Sequence, residues 1–218
     1  MVSISAIVLT YNEELHLDRC LKSLQEIGAK IFIVDSYSTD NTEEIAKKYG
    51  ASFLQNKWKN YATQFNWGID NCDITTEWVL RIDADEFLSP ELINSINSVL
   101  NHVNSNVNGI MVKRLMYFMD KPLKRGGMYP ISHLKIWRRG SARCEQLWMD
   151  ERMILNSGEL LNIEGDLIDY NLNNLTWWTS KHNGYAIREA IDILDKLYGF
   201  TNHVTNKGSF WGRSFSDT

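Results

Sequence analysis

The sequence predicts an α/β fold, built on a mainly parallel central sheet that is flanked by helices. Over residues 2–104, four short strand-like segments alternate with segments whose apolar residues recur at helical spacing, and the first strand-like segment is rich in β-branched residues. Strands and helices that alternate in this way form βαβ units, and such units produce parallel sheets. Three of the four strand-like segments also end in acidic or polar residues, which is an unusual end for a buried strand.

Each predicted element of this first half has its own signal. Apolar runs predict buried strands at residues 2–10 and 29–34, a third short strand at 51–55 and a fourth in the stretch 77–87, which ends in carboxylates. Apolar residues at every third or fourth position predict helices at residues 15–27, 40–49, 61–72 and 89–102. Asp40 followed by Glu43 predicts a capping box for the second helix, and Ser89 followed by Pro90 predicts the start of the fourth.

The pattern changes after Asn104, where turn signals separate the predicted strands. Residues 109–119 and 133–138 are predicted strands, and the intervening turns favour a small antiparallel extension over another βαβ unit. Residues 160–170 predict one more strand, and helical spacing over residues 174–199 predicts a C-terminal helix. Since no repeat or low-complexity linker divides the chain, we expect a single domain over residues 1–218.

The composition limits the classes of protein to which this chain can belong. Of its 218 residues, 44% are hydrophobic and 23% are charged, as in soluble globular proteins. The formal net charge of −4 disfavours a nucleic-acid binder, which usually carries a basic surface. The three cysteines lack CxxC spacing, so we expect reduced thiols and a cytoplasmic protein. We find no signal sequence and no apolar run of about 18 residues, and therefore expect no membrane span.

The stretch WVLRIDADE, residues 78–86, carries the strongest chemical signal. In extended backbone, residues two apart point to the same side, so Asp83 and Asp85 would project together from the end of a strand. Two close carboxylates repel unless a cation lies between them, and hard oxygen ligands suit Mg²⁺ or Mn²⁺. The same residues would also fit an acidic turn that caps the next helix.

The other polar strand ends predict where a ligand binds. In an open parallel sheet, ligands bind in the crevice beyond the carboxyl ends of the strands. Tyr11, Glu13 and Asp35 follow the first and second strands, so we expect them to converge with the acidic stretch. An aspartate can accept the imide N–H of uracil, and an aromatic ring can stack on a base. No glycine-rich GxGxxG loop follows the first strand, which disfavours a dinucleotide-dependent dehydrogenase.

Three ordered motifs resemble glycosyltransferase family 2: TYNEE at residues 10–14, VDSYSTDNT at 34–42 and WVLRIDADE at 78–86. The resemblance covers roughly the first half of the chain and implies the GT-A fold and an inverting reaction. Later segments resemble a bacterial branch that builds lipopolysaccharide core, capsule or other surface glycans: HLKIWRRG at residues 133–140, WMDE at 148–151 and WTSKHNGYA at 178–186. Members of that branch usually continue further, so we expect a C-terminal truncation.

The resemblance implies roles for the residues that match the motifs. The residues that would contact the nucleoside are Thr10, Tyr11 and Glu13. Asp35 would read the base, Asp83 would lie near the ribose or sugar, and Asp85 would bind the metal, Mg²⁺ or Mn²⁺, with Asp83 beside it. The cationic candidates to hold the charge of the departing diphosphate are Arg138, Arg139, Lys181 and His182.

The candidate general base comes from the WMDE segment. The branch often has a His-Glu pair where this sequence has Met149-Asp150-Glu151, and Glu151 matches that glutamate. Because the histidine is absent, the choice between Glu151 and Asp150 stays open. The base would take a proton from an acceptor hydroxyl as that hydroxyl attacks the anomeric carbon.

The sequence thus predicts an inverting glycosyltransferase that moves a sugar from a nucleotide-sugar, with a UDP-sugar favoured, to a saccharide or lipid-linked acceptor. Residues 1–104 would bind the nucleotide and residues 105–218 the acceptor, at the inner face of the cytoplasmic membrane. The aromatic C-terminal tail leaves peripheral membrane contact open. Two alternatives are a sugar-1-phosphate nucleotidyltransferase, which normally needs a glycine-rich basic loop, and a non-catalytic saccharide-binding module, which has no use for a metal.

Overall fold

The structure is a computed structural model, and it describes residues 2–146 and 151–199 of the chain. Five helices lie in these residues: α1 (Leu17–Gln25), α2 (Thr42–Lys48), α3 (Tyr61–Asn71), α4 (Pro90–Val99) and α5 (Leu175–Tyr198). Eleven strands lie there as well: β1 (Ile4–Thr10), β2 (Lys30–Asp35), β3 (Ser52–Gln55), β4 (Trp78–Asp83), β5 (Glu86–Leu88), β6 (Val107–Phe118), β7 (Lys121–Pro122), β8 (Ile131–Arg138), β9 (Ala142–Cys144), β10 (Met153–Leu155) and β11 (Glu159–Tyr170). The predicted α/β class is confirmed.

Within the described residues, one nine-stranded sheet has the order β3-β2-β1-β4-β8-β6-β11-β5, and β7 pairs with β6. The strands β1 to β4 are parallel to one another, and β6 is parallel to β11. Because β8 is antiparallel to both of its neighbours, β4 and β6, the strands β6 and β11 run in the direction of β1 and β4. The carboxyl ends of six strands therefore meet at one edge of the sheet.

The antiparallel extension predicted after Asn104 is confirmed. The predicted strands at residues 109–119 and 133–138 correspond to β6 and β8, which are antiparallel neighbours. The antiparallel part also contains β7 and the separate two-stranded sheet of β9 and β10, and β5 pairs antiparallel with β11 at the far edge. On its other side β6 is parallel to β11, a pairing that the turn signals do not determine.

Hydrophobic clusters cover both faces of the sheet. On one face, Ile4 and Val8 of β1 pack in a cluster that also contains residues of α1, α2 and α4. On the other face, Ile7 belongs to a cluster with Phe65 of α3 and Trp137 of β8. This alternation follows the pleat of β1, whose successive side chains point to opposite faces. Helices therefore lie on both faces and leave the edge with the strand ends open.

Two local predictions at helix starts have different outcomes. Ser89 caps α4, since its hydroxyl accepts a hydrogen bond from the Leu92 N–H at 3.2 Å, as predicted. The capping box of Asp40 with Glu43 is wrong. Asp40 instead accepts from the N–H of Thr42 and, with its other oxygen, from the N–H of Glu14, both at 3.0 Å. Asp40 therefore connects the start of α2 to the loop after β1.

The acidic stretch also differs from its predicted backbone. The strand β4 ends at Asp83, and Ala84 and Asp85 form a turn before β5 begins at Glu86. The sequence predicted that Asp83 and Asp85 project from one extended strand. Only Asp83 lies in β4, so that prediction is wrong. The turn changes the direction of the chain at the edge where the strands end. Within residues 2–146 and 151–199, no helix combines the length and apolar character needed to cross a bilayer.

Candidate active site

A large cleft lies at the edge where the parallel strands end. Its volume is about 2110 Å³, and it is lined by residues at the ends of β1, β4, β6 and β11 and by one face of α5. The predicted site residues that line it are Thr10, Tyr11, Glu13, Asp83, Asp85, Glu151, Lys181 and His182. The fold thus brings together residues that are up to 172 positions apart in the sequence, since Thr10 and His182 share the cleft.

The loop after β1 presents an aromatic ring and a carboxylate to the cleft. Tyr11 is 60% exposed, so the face of its ring is available to stack on a planar ligand. Glu13 accepts a hydrogen bond from Nδ1 of the buried His16 at 2.7 Å. Burial raises the pKa of the Glu13 carboxyl, the bond from His16 offsets part of this effect, and the negative charge of Asp85 adds to it. Glu13 and Asp85 therefore lie close enough to interact.

Asp35 has a different environment from the one its predicted role requires. Its carboxylate is fully buried and accepts from Thr10 Oγ1 at 2.8 Å, Ser38 N at 2.8 Å, Ser38 Oγ at 2.5 Å and Gln55 Nε2 at 3.4 Å. These bonds join the ends of β1, β2 and β3. Direct contact between Asp35 and a base would require Ser38 to release the carboxylate. In this conformation Asp35 positions the loop whose Ser36 lines the cleft.

Asp83 lies at the centre of a buried network of charges. Its Oδ1 accepts from the Tyr61 hydroxyl, which itself accepts from Arg81 Nε at 3.0 Å. The Asp83 N–H donates to Glu86 Oε2 at 3.0 Å, and Glu86 forms a buried ion pair with Lys135 at 2.7 Å. Burial by itself would raise the pKa of Asp83, but the positive charges of Lys135 and Arg81 hold the pKa below its ordinary value. Asp83 therefore stays ionised in a fixed position.

Asp85 lines the cleft from the turn between β4 and β5. Asn171 Nδ2 donates to Asp85 Oδ2 at 3.0 Å. Arg19 Nη2, from α1, donates to the backbone carbonyl of Asp85 at 3.2 Å and to that of Tyr170 at 2.5 Å. The turn is therefore held from two sides, by α1 and by the end of β11.

Asp169 is a cleft residue that sequence analysis missed. It lies opposite Glu86 in the pairing of β11 with β5, and it lines the cleft. Burial and the negative charges of Asp85 and Asp83 raise its pKa to about 6, although the positive charge of Arg114 offsets part of this effect. A signal was present, because Asp169-Tyr170-Asn171 ends a predicted strand with polar residues. Tyr61 had no such signal, since its place depends on how α3 packs on the sheet.

The carboxylates of this cleft are the groups that could hold a metal ion. Asp83 and Asp85 supply hard oxygen atoms of the kind that Mg²⁺ and Mn²⁺ bind, and a cation would relieve the crowded negative charge that acts on Asp169. Among residues 2–146 and 151–199, no group of three or more His, Cys, Asp or Glu side chains is arranged as a metal centre. The donor set therefore fits a cation that takes its other ligands from water and a diphosphate.

Two predicted cationic residues reach the cleft from α5. Burial lowers the pKa of Lys181, but the negative charges of Asp85 and Glu13 and the interaction with Tyr185 together outweigh this effect, so the pKa lies above its ordinary value. The His182 ring stacks on Trp178 with 3.7 Å between ring centroids, and its Nδ1 donates to the Trp178 carbonyl at 2.8 Å. Lys181 is thus the charged group of α5 that interacts with the carboxylates, and His182 is held beside it.

The predicted general base is only partly described. Glu151 is half-buried, lines the cleft, and accepts at its backbone carbonyl from Arg81 Nη1 at 3.0 Å. Arg81 thereby connects the start of this segment to the network of Asp83. Asp150, the alternative base, lies outside the described residues. The structure therefore places Glu151 in the same cleft as the carboxylates of β4 and leaves the choice between the two residues untested.

Arg138 does not line the cleft, where its predicted contact with the diphosphate would place it. Because β8 runs antiparallel to β4, Arg138 pairs with Trp78 at the start of β4, far from the strand ends. Its guanidinium forms an ion pair with Glu77 and donates to the Val107 carbonyl at 2.9 Å. The neighbouring Arg139 is exposed at the same distant edge. The sequence predicted an antiparallel arrangement of these strands, but it could not show that β8 lies beside β4.

Comparisons of sequence identify a family and several relatives that are similar to this chain. A family model described as glycosyl transferase family 2 matches residues 5–154. An uncharacterized glycosyltransferase of Rickettsia prowazekii is 36% identical over 220 aligned positions, which cover 97% of this chain and 75% of that protein. The lipopolysaccharide core biosynthesis glycosyltransferase LpsC of Rhizobium meliloti is 28% identical over 86% of this chain and 70% of its own length.

A solved structure supports the fold at lower identity. The crystal structure of S. aureus TarS residues 1–349, in complex with UDP-GlcNAc, has a TM-score of 0.60 and 16% identity. That match covers 79% of this chain, and the chain spans 60% of the TarS fragment. The similarity confirms the predicted GT-A architecture. With a family model that matches more than half of the chain and a strand edge that carries the family's three motifs, this protein belongs to glycosyltransferase family 2.

Proposed function

We propose that the protein transfers a sugar from a UDP-sugar to a saccharide or lipid-linked acceptor, with inversion at the anomeric carbon. The observation that supports this most directly is the meeting of Tyr11, Glu13, Asp83, Asp85 and Lys181 around one cleft of a family 2 glycosyltransferase. An aromatic face, carboxylates and a cation are the groups needed for a base, a ribose and a diphosphate.

The donor would occupy the side of the cleft formed by β1, β4 and α5. Tyr11 would stack on the base, and Glu13 would accept from ribose hydroxyls, while Thr10 and the buried Asp35 hold this loop in place. Asp83 would lie against the ribose or the sugar. Lys181 and His182 would face the diphosphate, since Lys181 already interacts with Asp85. Residues 1–104 would thus supply most donor contacts.

Asp85 and Asp83 would hold a divalent cation, Mg²⁺ or Mn²⁺, together with the diphosphate. When bound, such a cation neutralises the charge that develops on the leaving nucleoside diphosphate. Lys181 would add positive charge on the opposite side of the same group. Asn171 and Arg19 would keep Asp85 in position, because they hold its side chain and its backbone carbonyl.

The chemical step would be one in-line displacement. The acceptor oxygen forms a bond to the anomeric carbon as the bond from that carbon to the diphosphate oxygen breaks. Glu151 would take the proton of the acceptor hydroxyl, a contribution typically worth about 10² to 10⁴ in rate. Asp150 is the alternative proton acceptor. Residues 105–218 would bind the acceptor, because Glu151 has to touch it.

The biological setting would be the synthesis of a bacterial surface glycan. This part of the proposal rests on the resemblance of the later motifs and on LpsC, whose name gives lipopolysaccharide core biosynthesis. An acceptor of that kind is built at the inner face of the cytoplasmic membrane. Peripheral contact with that membrane is therefore part of the proposal.

The test is release of UDP from a panel of UDP-sugars, with Mn²⁺ and lipopolysaccharide-core oligosaccharides as acceptors. A thermal-shift screen comes first, because a donor that binds only the folded state raises the melting temperature. We expect UDP release that requires the protein, the acceptor and the cation. Pyrophosphate release from a nucleoside triphosphate and a sugar 1-phosphate would instead indicate a nucleotidyltransferase. Saccharide binding without any UDP release would indicate a non-catalytic module.

A further inference from the structure

Positive side chains from four parts of the fold gather on one side of the cleft, and we call this set the cationic wall. Its members are Arg81 of β4, Arg114 of β6, Lys135 of β8 and Arg152, which precedes β10. All four line the cleft, together with His133 of β8. The chain has a net charge of −4, so a local excess of positive charge is not a consequence of its composition.

Two of the four cations are bound to groups of the protein. Lys135 forms its buried ion pair with Glu86 at 2.7 Å. Arg81 donates to the Tyr61 hydroxyl and to the Glu151 carbonyl, both at 3.0 Å. Both side chains therefore have a structural role. Lys135 connects β8 to Glu86 of β5, and Arg81 connects β4 to Tyr61 of α3 and to the backbone of Glu151.

The other two cations are available to a ligand. Arg114 Nε lies 3.9 Å from Asp169 Oδ2, too far for a hydrogen bond, and one third of its side chain is exposed. Arg152 is exposed and forms no ion pair with any residue of the two described ranges. A guanidinium offers paired N–H donors that match a carboxylate or a phosphate.

The pKa of His133, which also lines the cleft, is affected by all four cations of the wall. Burial lowers the pKa of its imidazole, the charges of Arg114, Lys135, Arg81 and Arg152 lower it further, and the pKa falls to about 4. The ring is therefore neutral near pH 7 and adds no charge of its own. The acidic groups nearest the two available arginines are Asp169, beside Arg114, and Glu151, the residue before Arg152.

Within the wall, Lys135 and Arg81 act on Asp83, whereas the position of Arg152 points to the acceptor. The donor groups Tyr11, Glu13 and Asp85 follow β1 and β4, and Lys181 approaches them from α5. Arg152 directly follows Glu151, and Arg114 lies on β6, in the half of the chain assigned to the acceptor. A group bound by these arginines would therefore lie beside the hydroxyl that Glu151 is proposed to deprotonate.

We infer that the acceptor is an anionic saccharide, whose carboxylate or phosphate group binds Arg152 and Arg114 next to the reacting hydroxyl. This inference rests on the proposed function, because it takes Glu151 as the base. It makes the two arginines specificity-determining residues. A neutral sugar offers neither guanidinium a charged acceptor for its paired N–H donors and would bind more weakly.

The test measures binding of three small probes by isothermal titration: glucuronate, glucose 6-phosphate and glucose. Excess UDP and Mn²⁺ are present, so that the donor site is filled and the charged probes report on the acceptor side. We expect at least one charged probe to bind about tenfold or more tightly than glucose, as charge-assisted hydrogen bonds are stronger than neutral ones. A gain for glucuronate alone identifies a carboxylate, and a gain for glucose 6-phosphate alone identifies a phosphate.

Variants show whether the wall causes that preference. Arg152→Gln and Arg114→Gln should each reduce the preference for the charged probe, and Arg152→Lys should retain part of it. Arg139→Gln is the matched control, since Arg139 is an exposed arginine at the opposite edge of the sheet. UDP affinity is measured in every variant and should not change in Arg152→Gln.

The outcomes distinguish a failure of the anionic-acceptor inference from a failure of the proposed glycosyltransferase function. Equal affinities for the three probes, no binding of either charged probe, or a preference that survives Arg152→Gln and Arg114→Gln would each overturn the anionic acceptor. Those results leave the glycosyltransferase proposal intact if UDP binds with Mn²⁺. Failure of UDP to bind would instead contradict the proposed function, and the charged preference would then be measured without UDP.

Discussion

The carboxylate of Asp85 makes fewer contacts with the protein than that of Asp83. Within the described ranges its one side-chain hydrogen bond comes from Asn171, at 3.0 Å. Asp83, in contrast, accepts from the Tyr61 hydroxyl and lies near Arg81 and the buried ion pair of Lys135 with Glu86. A residue that binds an exchangeable cation has to keep oxygen atoms available to it. Asp85 therefore suits metal binding, and Asp83 suits a fixed contact.

Replacing Asp85 by Asn should weaken donor binding only when the cation is present. Asn has nearly the same shape but supplies a neutral ligand, so the affinity for UDP in Mn²⁺ should fall by at least about tenfold. The affinity without Mn²⁺ should be unchanged. Isothermal titration with UDP, with and without Mn²⁺, measures both. Asp70→Asn is the control, because Asp70 pairs with Arg143 outside the cleft; unchanged UDP affinity in Asp85→Asn would remove Asp85 from the metal site.

Glu151→Gln tests the general base separately from the donor. The amide cannot take a proton, so the turnover number should fall by about 10² to 10⁴, while UDP affinity stays at the wild-type value. Steady-state UDP release and UDP titration give the two quantities. Glu159→Gln, an exposed carboxylate at the start of β11, should leave both unchanged. Full turnover in Glu151→Gln would move the base to Asp150 or to another group.

At the scale of secondary structure, local sequence was informative where an element depends on its own residues. The apolar runs of β1 and β2 and the Ser89-Pro90 start of α4 need only local signals, and they were predicted correctly. The three-residue strand β5 was missed, because it is defined by its pairing with β11 and not by a pattern of its own. Longer-range pairing also decided that β8 lies beside β4.

The same distinction explains which site residues could be found. Tyr11, Glu13 and Asp85 were predicted because they directly follow strands of the first half, where the family motifs lie. Asp169 was missed because its strand carries no motif, although its carboxyl end lies at the same edge. Arg138 lies in a segment with a motif, but its contacts were decided by the neighbour of β8. A motif identifies a candidate site residue, but the direction and the neighbours of its strand decide whether that residue lies at the cleft.

Gly165 shows how an irregular strand supports the cleft. It lies where the pairing of β11 with β6 shifts between Asn162 and Asp166, and it has φ of 94°. A Cβ at this position would lie 2.2 Å from the Leu92 nitrogen and 2.5 Å from its Cα. The glycine therefore lets β11 pass against the start of α4. Since β11 ends at the cleft, this contact also sets the position of Asp169.

Gly165→Ala should lower the free energy of unfolding by about 3 kcal/mol, from a left-handed backbone at about 1–2 kcal/mol and from overpacking at about 1–3 kcal/mol. Gly50→Ala is the matched control, because Gly50 has φ of 66° and nothing within 4 Å of the added carbon. That control should lose only about 1–2 kcal/mol. Urea denaturation gives both values, and equal losses would show that α4 yields to the added methyl group.

For the whole molecule, the distribution of charge within the cleft predicts ligand binding better than the net charge does. Within the cleft, Asp85 interacts with Lys181 of α5, and Asp83 interacts with Lys135, Arg81 and Arg114 of the cationic wall. A donor that brings a diphosphate and a cation, and an acceptor that brings an anionic group, would each find a complementary region. The donor and the acceptor can then bind to different regions of the same cleft.

The positive field of the wall also predicts how stability depends on pH. Burial, with the charges of Arg114, Lys135, Arg81 and Arg152, lowers the pKa of His133 from 6.5 to about 4 in the folded protein. Between these values the unfolded chain binds a proton at His133 that the folded protein does not bind. The stability contributed by the neutral ring is therefore complete above pH 6.5 and is lost as the pH falls towards 4.

His133→Gln removes this titration while other groups still titrate in both proteins. The difference in free energy of unfolding, wild type minus His133→Gln, should therefore increase between about pH 4 and pH 7, by about 2 kcal/mol once the partial exposure of the ring is considered. Urea denaturation of both proteins across this range measures the difference. A difference that stays flat would mean that His133 has its ordinary pKa in the fold, and hence that the four cations do not act on it together. A decrease towards neutral pH would mean that the folded protein favours the charged imidazole, which is incompatible with a wall that attracts anions.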